Sequence, residues 1–205
     1  MRSQLAVLGL ITACGSAPSR HIDDAPGGSR DAAARDATNV PMDAPGCTTF
    51  IASTSTATDV LSYTFSGGAF ESFGCAPIDP NYWMSGAGMS ATVTFVAPIS
   101  HPSIRVWGMN TDDTASVTVN GTAYPLDPAA ATLSPKVVCG LSPGPDGMTF
   151  ASGDLTGANT PNEGNYSYQD LRIDQTSVTS IQISGLTGAG WGFAGASVPG
   201  CATQS

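Results

Sequence analysis

After residue 47, apolar and polar residues alternate with a period of two along most of the chain. The stretch VLSYTFSG, from Val60, keeps this rhythm. In SATVTFVAP the residues Ala91, Val93 and Phe95 share one side, and in PSIRVWGM Ile104 and Val106 lie opposite Arg105 and Trp107. ASVTVNGTAYPL places Val117 and Val119 on one side and then reaches Asn120-Gly121. Alternation of this kind marks half-buried strands, and Asn-Gly between alternating runs is a strong local signal for a hairpin. Further strands are predicted over 136–139, 148–152, 168–173, 180–183 and 191–198, with Trp107 and Trp191 in the core or on a sheet surface. A helical repeat is absent, and the Ala-rich run 129–131 is enclosed by Pro128 and Pro135. Many short strands at this spacing predict an all-β fold, an antiparallel β-sandwich or jelly roll in which each sheet buries one face.

Composition agrees. Charged residues make up 11% of the 205 residues, while 24 Gly and 15 Pro provide corners between strands. The formal net charge is -9 and the isoelectric point about 4.2. After Cys47 the fixed cations are Arg105, Lys136 and Arg172. A nucleic-acid partner needs a basic footprint, so none is expected.

Upstream of the alternating region the pattern changes twice. Met1 and Arg2 precede an apolar run from Leu5 to Ile11, far shorter than the roughly 18 residues that span a membrane. It predicts a signal peptide over 1–13. The tetrad Ile11-Thr12-Ala13-Cys14 then resembles the lipobox of bacterial lipoproteins, with Ile where Leu is more usual. That resemblance implies cleavage before Cys14 and acylation of its thiol and new amino end, so that the membrane is a partner through Cys14. Each buried CH₂ contributes about 0.8 kcal/mol, and several chains anchor stably where one does not. Gly15 rather than Asp follows the cysteine, which by the same resemblance implies the outer membrane. Residues 14–46 repeat Asp, Ala, Pro, Gly and Ser, with Asp-Ala-Pro at 24–26 and again at 43–45. So little apolar bulk cannot offset the entropy of ordering, and a disordered tether is expected there, leading to a β-sandwich domain over 47–205.

That domain holds Cys47, Cys75, Cys139 and Cys201, an even number that outside the cytoplasm predicts two disulfides. Three pairings are open; Cys47–Cys201 with Cys75–Cys139 is favoured because the first pair brackets the domain. No Cys-x₂-Cys occurs, which argues against zinc.

Candidate chemistry is sparse. His101 is the domain's one histidine, read as a loop residue, and no Gly-x-Ser-x-Gly elbow appears. A carboxylate-dependent hydrolase would draw on Asp79, Asp112, Asp113, Asp154, Glu163, Asp170 and Asp174, most of which sit in turn-forming contexts. The expectation is therefore a non-enzymatic protein without a cofactor. One loop, GMNTDDTAS, gathers Asn110, Asp112 and Asp113 as possible oxygen ligands for Ca²⁺, although an Asx turn explains the same letters. DPNYWMSG and NEGNYSYQD carry Tyr82, Trp83, Tyr166 and Tyr168 among turn residues, a pattern suited to a recognition surface. The stretch from Ile104 to Leu126, with its Val-x-Val-Asn-Gly hairpin, resembles jelly-roll carbohydrate-binding and galactose-binding-like modules. The expectation is a lipid-anchored envelope protein displaying a binding or adhesion sandwich, with a glycan or an envelope protein as partner. The alternatives are a structural envelope component without a small ligand and the hydrolase.

Overall fold

Among the described residues, fifteen strands form two antiparallel sheets and no helix occurs. The computed structural model describes residues 48–55, 57–74, 76–84, 86–139, 147–158 and 166–200, without the side chains of Cys139 and Tyr166. All of these fall within the unit Pro41–Ser205. In chain order the strands are β1 (Thr48–Ala52), β2 (Leu61–Ser66), β3 (Ala69–Glu71), β4 (Asn81–Met84) and β5 (Ser90–Ile99). Next come β6 (Ser103–Trp107), β7 (Thr114–Val119), β8 (Thr122–Ala123), β9 (Ala131–Leu133) and β10 (Val137–Cys139). The last are β11 (Met148–Ala151), β12 (Asp154–Gly157), β13 (Tyr166–Ile173), β14 (Val178–Thr187) and β15 (Trp191–Pro199).

The first sheet runs β10-β13-β6-β15-β4-β3, with β9 beside β13 and β1 beside β15. The second runs β11-β12-β7-β14-β5-β2, with β8 beside β7. Alternation decides what each strand buries. Ile104, Val106, Leu171, Ile173, Phe193 and Val198 of the first sheet join Leu61, Val93, Phe95, Val117, Ile181 and Ile183 of the second in one core. A hydroxyl ties the sheets together: Tyr63 Oη, from β2, donates to the Ile51 carbonyl of β1 and accepts from the Ala196 amide of β15 at 2.9 Å. Burial raises the Tyr63 pKa, so this phenol stays neutral and bonded.

The β-sandwich expectation holds, and so does the Asn120-Gly121 turn. Asn120 (φ 52°) and Gly121 (φ 76°) both adopt the left-handed conformation that a two-residue hairpin turn requires, and Thr118 pairs with Ala123 across it. Some strands lacked a pattern. β4 lies in a segment read as a turn, and β9 includes the end of the Ala-rich run. Cys14, Cys47, Cys75 and Cys201 lie outside the described residues, as do the tether and signal segments, while Cys139 is placed in β10 by its backbone alone.

Candidate functional site

The two outward faces differ in chemistry. On the second sheet, cross-strand rows read Ser66, Ser90, Ser184, Ser116 and then Thr64, Thr92, Gln182, Thr118. These rows carry hydroxyls and one amide, with neither charge nor ring. The first sheet instead turns aromatic and ionic side chains outward, and it is the candidate site.

One row crosses it as Trp83 (β4), Gly192 (β15), Trp107 (β6), Tyr168 (β13) and Val137 (β10). Gly192 makes this row possible. A Cβ at that position would overlap the indole nitrogen of Trp107, so only glycine lets the ring lie flat over the strand. Gly190 (φ 140°) does the same for Trp83, whose ring a Cβ would approach to 2.7 Å. Trp107 donates through Nε1 to Asn81 Oδ1 at 2.8 Å, and Trp83 and Phe73 pack against it at 5.4 and 5.1 Å. Alternation put Trp107 on the outward side; this cover is why it is nonetheless fully buried.

Beside that row Arg105 meets two aromatic rings. The Arg105 guanidinium lies over the Phe50 ring at 4.3 Å and over the Tyr168 ring at 4.7 Å. Asp170 receives it side-on, with Nε to Oδ1 at 2.7 Å and Nη2 to Oδ2 at 3.0 Å, the bidentate fork that fixes a guanidinium plane. That hydrogen bond, partly opposed by burial, raises the Arg105 pKa and keeps it cationic. Both side chains stay accessible, Arg105 at 21% and Asp170 at 26%. Further along β13, Arg172 Nε lies 3.1 Å from Asp174 Oδ1, and Thr132 donates to Asp174 Oδ2 at 2.8 Å. His101, in a left-handed turn (φ 53°), sits with Nδ1 3.7 Å from the same carboxylate. The result is a face on which aromatic rings and paired charges are interleaved.

The structure divides the predicted residues. Trp83 and Tyr168 lie on this face. Tyr82, one position from Trp83 on β4, points the opposite way; it is 3% exposed, packs 4.3 Å from Phe65 and accepts from the Gly68 amide at 2.7 Å. Tyr82 is thus a core residue, a correction that follows from the strand having replaced the expected turn. The side chain of Tyr166, and Glu163, lie outside the described residues. Phe50 and the Arg105–Asp170 pair went unpredicted. The residues stand 65 apart in sequence, and only the β6–β13 register joins them.

The predicted oxygen cluster has another occupation. Asp113 is fully buried, and its Oδ2 accepts from the Asn110 amide at 2.8 Å and its Oδ1 from the Gly190 amide at 3.0 Å. Burial raises its pKa, with the amide bonds opposing. Asp112 contributes its carbonyl to the Thr187 hydroxyl at 2.8 Å. The loop is held by main-chain amides, as an Asx turn is, and among the described residues no group of three or more His, Cys, Asp or Glu gathers as for a metal. Of the carboxylates considered for hydrolysis, Asp113, Asp170 and Asp174 are each engaged as described.

No family model matches the chain, and no curated protein matches it. Among solved structures, the catalytic domain of a GH87 alpha-1,3-glucanase in complex with tetrasaccharides matches with a TM-score of 0.41 and 13% identity. The match covers 77% of this chain and 29% of that one. That neighbour is an enzyme, contrary to the expectation of a non-enzymatic chain, which is not carried forward; a likeness of this size transfers no activity.

Proposed function

We propose that this chain is a lipid-anchored envelope protein whose sandwich binds a glycan on the outward face of its first sheet. The grouping of Phe50, Arg105 and Tyr168 beside Asp170 carries the reading. Sugar rings present C–H faces that pack on aromatic rings and hydroxyls that bond in the plane of polar groups, and this face offers both within one strip. Trp83 and the exposed Val137 extend the apolar part. Tyr168→Ala removes one ring and uncovers Arg105, and it should weaken glycan binding about tenfold or more, since central aromatic contacts dominate recognition energies. A glycan array followed by titration of the best ligand measures this. Equal binding by wild type and variant would place the ligand elsewhere.

The anchor rests on the sequence Ile11-Thr12-Ala13-Cys14. With acyl chains at Cys14 the domain would be displayed on a tether from the envelope, at the outer membrane by the Gly15 criterion. Cys14→Ala should move the protein from the membrane pellet to the soluble fraction, because no other lipid attachment is proposed. Retention of the variant in washed membranes would exclude this route.

A further inference from the structure

Resting on the glycan reading above, we infer that the face selects uncharged glycans and discriminates against polyanionic ones. Arginines on a sugar-binding surface ordinarily suggest acidic ligands. Here each outward arginine already has its counter-ion: Arg105 is paired bidentately with Asp170 at 2.7 and 3.0 Å, and Arg172 with Asp174 at 3.1 Å. The guanidinium of Arg105 also lies within 4.3 Å of the Phe50 ring and 4.7 Å of the Tyr168 ring, which narrows a ligand's approach to it.

A uronate or sulfate approaching Arg105 enters the negative field of Asp170 or must displace that carboxylate. Displacement leaves a carboxylate without its partner among aromatic rings, and approach without displacement sets two anions side by side. The chain's net charge of -9 adds long-range repulsion. A sugar hydroxyl has no such conflict. It donates to a carboxylate lone pair and accepts from a guanidinium N–H while leaving the ion pair intact. The pair therefore works as a neutral, directional hydrogen-bonding unit, and binding to it carries little net charge transfer.

Affinity electrophoresis and calorimetry with neutral polysaccharides (dextran, mannan, xyloglucan) and anionic ones (pectate, alginate) test this. The expected result is binding confined to neutral polymers, with affinity changing less than about twofold between roughly 0.02 and 0.5 M salt, because no uncompensated charge is screened. Asp170→Asn strips Arg105 of its counter-ion and should weaken neutral binding about fivefold while creating salt-sensitive retention on pectate. The wild-type salt comparison stands even if that variant folds poorly. Tighter, salt-sensitive, Tyr168-dependent binding of an anionic polymer by the wild type would overturn the selectivity and leave the glycan face in place. Absence of Tyr168-dependent binding to every polymer would overturn both.

Discussion

Asp113→Ala should lower the unfolding free energy by roughly 3–5 kcal/mol, with a melting temperature lower by about 10 °C, as read by urea and thermal unfolding. The carboxylate is fully buried and accepts from the backbone amides of Asn110 and Gly190, which belong to loops far apart in the chain. Alanine leaves those amides without their acceptors, that of Gly190 in a buried place, and a buried orphaned donor costs about 1–3 kcal/mol. The lost packing around Gly188 adds to this, since that glycine (φ 106°) closes directly on the carboxylate. Asp113→Asn restores one acceptor but turns an NH₂ donor toward the other amide, so its stability should lie between those of alanine and wild type. A pH signature identifies the group. Burial raises the Asp113 pKa above its ordinary 3.8, so between the two values the folded state binds more protons than the unfolded state. The contribution is therefore fullest below 3.8 and declines as pH rises through the folded-state value. Wild type should show this decline in urea titrations and Asp113→Asn should lack it. Parallel pH profiles, or an alanine variant as stable as wild type, would remove Asp113 from this role.

Gly192→Ala should destabilise the domain by about 3 kcal/mol, a large effect for one methyl group. The new Cβ would occupy the place of the Trp107 ring. The ring has little room to yield, because its N–H is bonded to Asn81 and Phe73 and Trp83 press on it. Either the indole leaves its site, abandoning the Asn81 bond, or β15 moves off β6. Tryptophan emission should shift to the red before global unfolding. Adding Trp107→Phe, which shortens the ring that clashes, should recover part of the loss, and the non-additivity of the pair measures the contact. A Gly192→Ala protein within about 1 kcal/mol of wild type would show that the strands accommodate the methyl freely.

Period-two alternation made most of the sandwich readable, because a one-residue slip would expose every core side chain of a strand. Val93, Ile104, Val117 and Val119 all fall on the predicted inward side. What alternation cannot express is what covers the other side. Trp107 occupies an outward position and is buried only because Phe73 and Trp83 fold over it. Tyr82 and Trp83 are neighbours with the same local composition, yet one enters the core and the other the surface, since a strand separates consecutive side chains. The Arg105–Asp170 pair was hidden for a different reason. Its partners carry no local motif, and the register that joins them depends on long-range pairing. Asp113 shows the reverse error of scale: a local cluster suggested a metal ligand, while its carboxylate serves the amide of Gly190, 77 residues away.

The bare backbone at Gly190, under Trp83, has a thermodynamic corollary. The Trp83 ring rests on Gly190 from below and on the buried Trp107 from the side, so it has few rotamers to surrender when a guest arrives. Complex formation at such a floor would show a calorimetric profile with a small conformational-entropy penalty, and any side chain added beneath the ring would trade that rigidity for a looser, weaker seat.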